Sequence, residues 1–208
     1  MLATPDMKAF GAAGLMAVLS GCGGECWFSC ESLDRAEDYF DVKRAAAALD
    51  PTPEDAMPGT GTATYRGFAR TNYYYAGSYA GSYAGFLDGV VVLEADFGAP
   101  GFTGRIDDFY HLNGSVEGAL LIENGQITGS TLAADVSGSV DQSEFLINGG
   151  TPGSAIPLGP GTVTVDGTLS GGFRGDEAQA VSIGIKATAV FEDDVSGVIT
   201  GDGAAFAE

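Results

Sequence analysis

The chain has 208 residues, 33 of them Gly and 8 Pro, and carries 9 Lys plus Arg against 28 Asp plus Glu, a net charge of −19. That balance excludes a nucleic-acid binder, whose phosphates need cationic partners, and disfavours docking on anionic lipid head groups. A hydrophobic share of 45% excludes a disordered tail, and a single histidine, His111, excludes a multi-histidine metal centre. The length fits one domain and a leader.

In chain order, residues 1–21 read as a secretion signal. Lys8 supplies the positive start, and Ala9 to Leu19 an apolar run too short to be a transmembrane helix. Pro5 and Asp6 interrupt the region before it, so Met7 is a second candidate start. The run Leu19-Ser20-Gly21-Cys22 resembles the bacterial lipobox, whose Cys becomes the acylated first residue of the mature chain. The resemblance implies a lipoprotein held in the outer membrane through palmitate-type chains on Cys22. Gly23 follows where Asp often retains lipoproteins at the inner membrane, and the cell surface is expected before the periplasmic face. Cys26 and Cys30 are left in an oxidising compartment, where a local disulfide is the expected outcome. Two thiols without further Cys or His cannot fill a tetrahedral zinc shell.

Residues 22–58 read as a tether. A short helix is expected over 31–50, capped by Ser32, with Leu33, Ala36, Phe40 and Ala47 near one face and Pro51 stopping it. The run Pro51 to Pro58 is expected to be a stiff linker.

From residue 59 to 208 the hydrophobic period becomes two. Tyr65 and Ala69, then Val91, Leu93, Ala95 and Phe97, then Phe102 and Ile106, then Val116, Leu120 and Ile122 each share a face. Ile127 and Ala133 follow, then Val163, Val165 and Leu169, and a long run from Val181 to Phe191. Turn signals fall at Asn113-Gly114, Asn124-Gly125, Asn148-Gly149-Gly150 and Pro160-Gly161. Eight to nine strands without intervening helices mean an antiparallel sandwich or barrel. Polar residues on the alternate positions favour a water-soluble barrel with an apolar interior over a membrane-spanning one.

Three runs carry a family resemblance. Gly61-Thr62-Ala63-Thr64-Tyr65-Arg66-Gly67 resembles the opening strand of the barrel domains of transferrin-binding protein B. Val90 to Phe97 followed by Phe102-Thr103-Gly104-Arg105-Ile106 resembles a later strand pair, and Gly167 to Ala178 resembles the family's late Gly-rich segment. The resemblance implies an all-β fold, an eight-stranded antiparallel up-and-down barrel at 59–208, on a bacterial surface lipoprotein. Related barrels bind transferrin, complement regulators or haem. True transferrin binders set a handle domain beside each barrel, and one barrel without a handle implies the scaffold and location more than that ligand.

The most unusual segment is Tyr73-Tyr74-Tyr75-Ala76-Gly77-Ser78-Tyr79-Ala80-Gly81-Ser82-Tyr83, in which Ala-Gly-Ser-Tyr recurs every four residues. Tyrosines on a Gly/Ser frame give rigid amphipathic contact area at low entropy cost, so a protein-binding or haem-binding loop at one barrel mouth is expected. The alternative is a slipped repeat that makes a flexible or strand-extending loop with no specific partner. Tyr110 and His111 are candidate haem ligands. The pairs Asp107-Asp108, Asp176-Glu177 and Asp193-Asp194 read as solvated turns, since neighbours on a strand point to opposite faces. No catalytic motif is present, so a non-enzymatic binding module in iron, haem or host-protein acquisition is expected. A structural or envelope-maintenance lipoprotein with no small ligand is the alternative.

Overall fold

The computed structural model describes residues 30–75, 82–111, 114–141, 143, 146–148, 155–157, 160–192 and 196–208. The leader, Cys22, Cys26 and Tyr79 lie outside the described residues, and with them the lipidation and disulfide expectations.

One helix, α1 (Cys30–Ala47), is followed by a chain of strands: β1 (Thr62–Tyr75), β2 (Ser82–Asp96), β3 (Gly101–His111), β4 (Gly114–Val116), β5 (Gly118–Thr128), β6 (Thr131–Asp141), β7 (Leu146–Asn148), β8 (Ala155–Pro157), β9 (Thr162–Arg174), β10 (Ala180–Val190) and β11 (Ser196–Ala207). Eight long strands close into an antiparallel barrel. Each of them pairs with its neighbours in the chain, and β1 closes the ring against β11. The barrel is the up-and-down kind that the resemblance implies. Closure leaves no long unpaired edge, which an open sheet of this composition would expose.

β4 and β5 act as two parts of one strand interrupted at Glu117, because both pair with β3. β7 and β8 form a separate hairpin, placed where the alternation loosens after Asp141. Asn124-Gly125 is not a turn. It is a bulge inside β5, with Asn124 at φ 54°, and the hairpin bends four residues later around Gly129. Ala133 faces out, and Leu132, Ala134 and Val136 fill the inner face of β6.

The interior is packed from end to end. Tyr65, Tyr73, Phe109, Leu87, Leu93, Ile106, Leu120, Ile122, Leu169, Ile185 and Ile199 are each less than 2% exposed. Burial of side chains this size stabilises by about 1.5–3 kcal/mol apiece. Room for Phe109 comes from glycine: a Cβ on Gly89 would lie 2.7 Å from its ring. A bulge in β3 aims that ring inward, with Asp108 at φ 51° opposite Gly89 of β2.

The helix lies on the outside of the barrel, and its buried face differs from the expected one. Tyr39 and Ala46 are buried, whereas Phe40 is 47% exposed and Ala47 is also exposed. Ala46 packs on Ala180 and Ala204, with Val42, Leu49 and Phe206 around them. Small residues at the contact, rather than a broad apolar stripe, let the helix approach the sheet.

The Pro-rich stretch after α1 crosses one mouth of the barrel. Thr52 N–H donates to the Phe173 carbonyl at 3.0 Å and its hydroxyl to the Gly175 carbonyl at 2.7 Å, while Gly175 N–H donates to the Asp50 carbonyl at 2.8 Å. Thr52 is 1% exposed. A stretch legible as a linker is therefore built into the barrel's end.

Candidate functional site

The two mouths are constructed differently. At the capped mouth, single 3-10 turns at Glu54–Ala56 and Asp176–Ala178 flank the crossing segment. Glu177 and Ala178 both hold positive φ, 53° and 60°, a conformation that costs about 1–2 kcal/mol per non-glycine residue. The Tyr65 hydroxyl, at the end of a side chain packed in the barrel interior, donates to the Ala178 carbonyl at 2.7 Å and holds that turn. Burial pushes the Tyr65 pKa up to about 12.

The opposite mouth carries the tyrosine segment, whose residues 76–81 lie outside the described ones. Tyr73, Tyr74 and Tyr75 belong to β1 and Tyr83 to β2, so both flanks of the segment continue the two strands. Tyr74 pairs with Tyr83 and Tyr75 with Ser82 past a register shift after Tyr73. Tyr73 turns inward and is fully buried, which drives its pKa well above the ordinary tyrosine value, only partly offset by a hydrogen bond with Thr71. Tyr74 is half-buried on the outer side. Tyr110 is 8% exposed beneath the Arg35 guanidinium, 5.7 Å from its ring centroid. His111, expected to be solvated if not a ligand, is 4% exposed and its ring lies 5.8 Å from that of Phe86.

Of the candidate ligands whose side chains are described, Tyr73 is turned into the core, whereas Tyr74 lies on the outer side and Tyr110 beneath Arg35; the side chains of Tyr75, Tyr79 and Tyr83 lie outside the described residues. Tyr73 is committed to the core, where it is fully buried. Among the described residues, no group of three or more His, Cys, Asp or Glu is placed to hold a metal ion.

Sequence reasoning missed the strongest polar cluster. Arg70 of β1 gives Asp88 of β2 two parallel hydrogen bonds, both 2.7 Å, with side chains 17% and 3% exposed. The Arg70 guanidinium carbon sits 4.3 Å from the Phe86 ring, 4.8 Å from Tyr39 and 5.0 Å from Phe40. Tyr39 in turn donates to Asp202 of β11 at 2.9 Å, and Lys43 bonds both Tyr39 and Asp202. Burial raises the Tyr39 pKa, and the Asp202 partner raises that of Lys43. The cluster clamps α1 across β11, β1 and β2. A signal existed: Arg70 and Asp88 bracket the uncharged tyrosine segment symmetrically, and folding the hairpin about its centre makes them partners.

A groove of about 550 Å³ on the outer wall near the capped mouth was also missed. Thr62, Thr64, Glu94, Asp96, Thr103 and Asn124 line it, and it continues toward Glu123 and Arg105.

Neither the protein-family models nor the curated proteins contain a match to this chain. Among solved structures the chain is similar to transferrin-binding protein B of Haemophilus parasuis, at 15% identity with a TM-score of 0.47. It is similar to intact Ap-TbpB at 17% and 0.43, and to transferrin-binding protein B of Neisseria meningitidis serogroup B at 15% and 0.42. Each alignment covers 76% of this chain but only 27–29% of the other. These likenesses concern the fold. The class that the fold defines is a closed, filled antiparallel barrel with one mouth capped and one helix clamped to its wall.

Proposed function

We propose that this chain is a lipid-anchored binding module of the bacterial outer membrane, tethered through Cys22, that takes a protein partner on its outer surface. The observation that supports the reading is the filled interior: a barrel whose central side chains are less than 2% exposed has no room for a haem or other small ligand inside. Contacts must then be made by the wall. The groove beside Glu94 and Asp96 suits a basic segment of a partner, in keeping with the net charge of −19. No catalytic constellation is assigned, and no helix among the described residues is long and apolar enough to cross a membrane.

The test has two arms. Radiolabelled palmitate should enter the full chain in cells and be lost in Cys22→Ser, while protease shaving of intact cells should remove the barrel. Purified full-length chain should then capture a basic protein partner, and Glu94→Lys with Asp96→Lys should abolish capture without unfolding the barrel. Acylation without any capture, together with an envelope defect on deletion, would favour the structural lipoprotein instead.

A further inference from the structure

The direction of α1 says which end of the barrel faces the membrane. Arg35, in its second turn, pairs with Asp108 at 2.7 Å and stacks over Tyr110, at the end of β3 that runs into the tyrosine mouth. Tyr39 lies midway, at Asp202, and Ala46 reaches Ala180 and Ala204, where β10 begins and β11 ends at the capped mouth. The helix therefore starts at the tyrosine mouth. Cys30 follows Cys22 by eight positions, so even a fully extended tether spans no more than about 28 Å.

The chemistry of that end agrees with its position. No residue from Thr71 to Leu87 is charged, nor any from Phe145 to Val165, in a chain with 28 acidic residues. The first stretch holds the β1–β2 hairpin, and the second holds β7 and β8 and opens β9, with β7 lying against β2. Two of the exposed large apolar side chains are here as well: Val198, 50% exposed and paired in register with Tyr74, and Val190, 42% exposed at the end of β10. The capped mouth carries Asp50, Glu54, Asp55, Asp96, Asp176 and Glu177.

We propose that the tyrosine mouth rests on the bilayer, with Tyr74, Val190 and Val198 seated in a zwitterionic head-group layer and the capped mouth turned away. Tyrosine favours such a layer because its ring is apolar and its hydroxyl stays wet. Asp108, Glu117, Asp141 and Glu192 lie at the same end around the uncharged stretches, and Asp193 and Asp194 follow in sequence, so a neutral surface fits better than an anionic one. The inference rests on acylation of Cys22.

The test uses the full acylated chain in vesicles of phosphatidylcholine with brominated acyl chains, in a Trp27→Phe background that removes the only native tryptophan. Tyr74→Trp, or Val198→Trp should the first variant fold poorly, reports on the tyrosine mouth, and Asp55→Trp on the capped one. The tyrosine-mouth reporter should lose about half of its fluorescence, as expected for a residue in the interface, while the capped-mouth reporter stays unchanged. Quenching of the capped-mouth reporter, or of neither in vesicle-bound protein, overturns the proposed orientation. Quenching that rises with phosphatidylglycerol overturns the choice of a neutral surface. Mass spectrometry of the Cys22 peptide separates the two ideas: an unmodified thiol overturns the anchor, and the orientation with it.

Discussion

The two mouths of this barrel solve the same problem by opposite means. A barrel end leaves backbone groups and apolar side chains near water, and the capped mouth covers them with chain: Pro51 and Thr52 lie over Phe173, and Tyr65 bonds a turn held at positive φ. The tyrosine mouth instead prolongs β1 and β2 outward and buries Tyr73 beneath them. One end is closed by hydrogen bonds to a crossing segment, the other by aromatic mass. Stability should thus respond to truncation at the tyrosine mouth and to hydrogen-bond loss at the capped one.

The largest effect is expected from Tyr73→Ala, which empties a fully buried site and should cost about 3–5 kcal/mol, as aromatic truncations in cores do. Urea unfolding monitored by circular dichroism measures it. A cost below about 1 kcal/mol would mean that the hairpin relaxes into the space and that Tyr73 does not plug the barrel. Next comes Arg70→Ala. It strands Asp88, which is 3% exposed, and removes the cation over three rings, for an expected loss of about 3 kcal/mol. Hydrogen exchange should quicken in α1 well before the strands. Arg70→Lys should recover only part of the loss, since an ammonium cannot give the parallel pair of bonds.

How far the sequence carried this structure follows from the range of the interactions. The two-residue period is a local property of each strand, so the inner faces built on Val91, Leu93 and Ala95, and on Ile183 and Ile185, were legible. The choice between a tyrosine loop and strand extension stayed open, because Gly and Ser in the repeat read as loop formers until Tyr74 pairs with Tyr83. Burial of His111 beside Phe86, and the buried face of α1, depended on contacts between separate elements, such as Arg35 with Asp108. The Asn124-Gly125 pair is chemically right for a left-handed residue. Whether that becomes a turn or a bulge is decided by the partner strand β6.

Alkaline pH should distinguish the tyrosines from solvent-exposed ones. Tyr39, Tyr65 and Tyr73 all have pKa values raised by burial, that of Tyr65 to about 12. In the unfolded chain they ionise near the ordinary value of about 10, so above that pH the folded state holds protons that the unfolded state has lost. The sign is then fixed: their contribution is complete below pH 10 and is lost as pH rises through the folded values. Absorbance at the tyrosinate band should rise in two stages, exposed residues first and the buried set only with loss of the native circular dichroism signal. A single early stage would mean that the barrel wall admits hydroxide to Tyr65 and Tyr73.

The smallest change aims at the capped mouth. Tyr65→Phe keeps the ring between Phe173 and the barrel wall but deletes the hydrogen bond to the Ala178 carbonyl, for an expected cost of about 1 kcal/mol at neutral pH. Because Phe does not titrate, the variant should also lose stability less steeply than the parent above pH 10. Amide exchange should increase at Ala178 and Gln179 and at Thr52, which bonds the neighbouring Gly175, while the β1–β2 hairpin stays protected. Exchange that increases equally at both ends would mean that the mouths unfold as one unit. In that case the capped turn and the tyrosine hairpin are not separate devices, and the barrel transmits the loss of a single hydroxyl along its whole length.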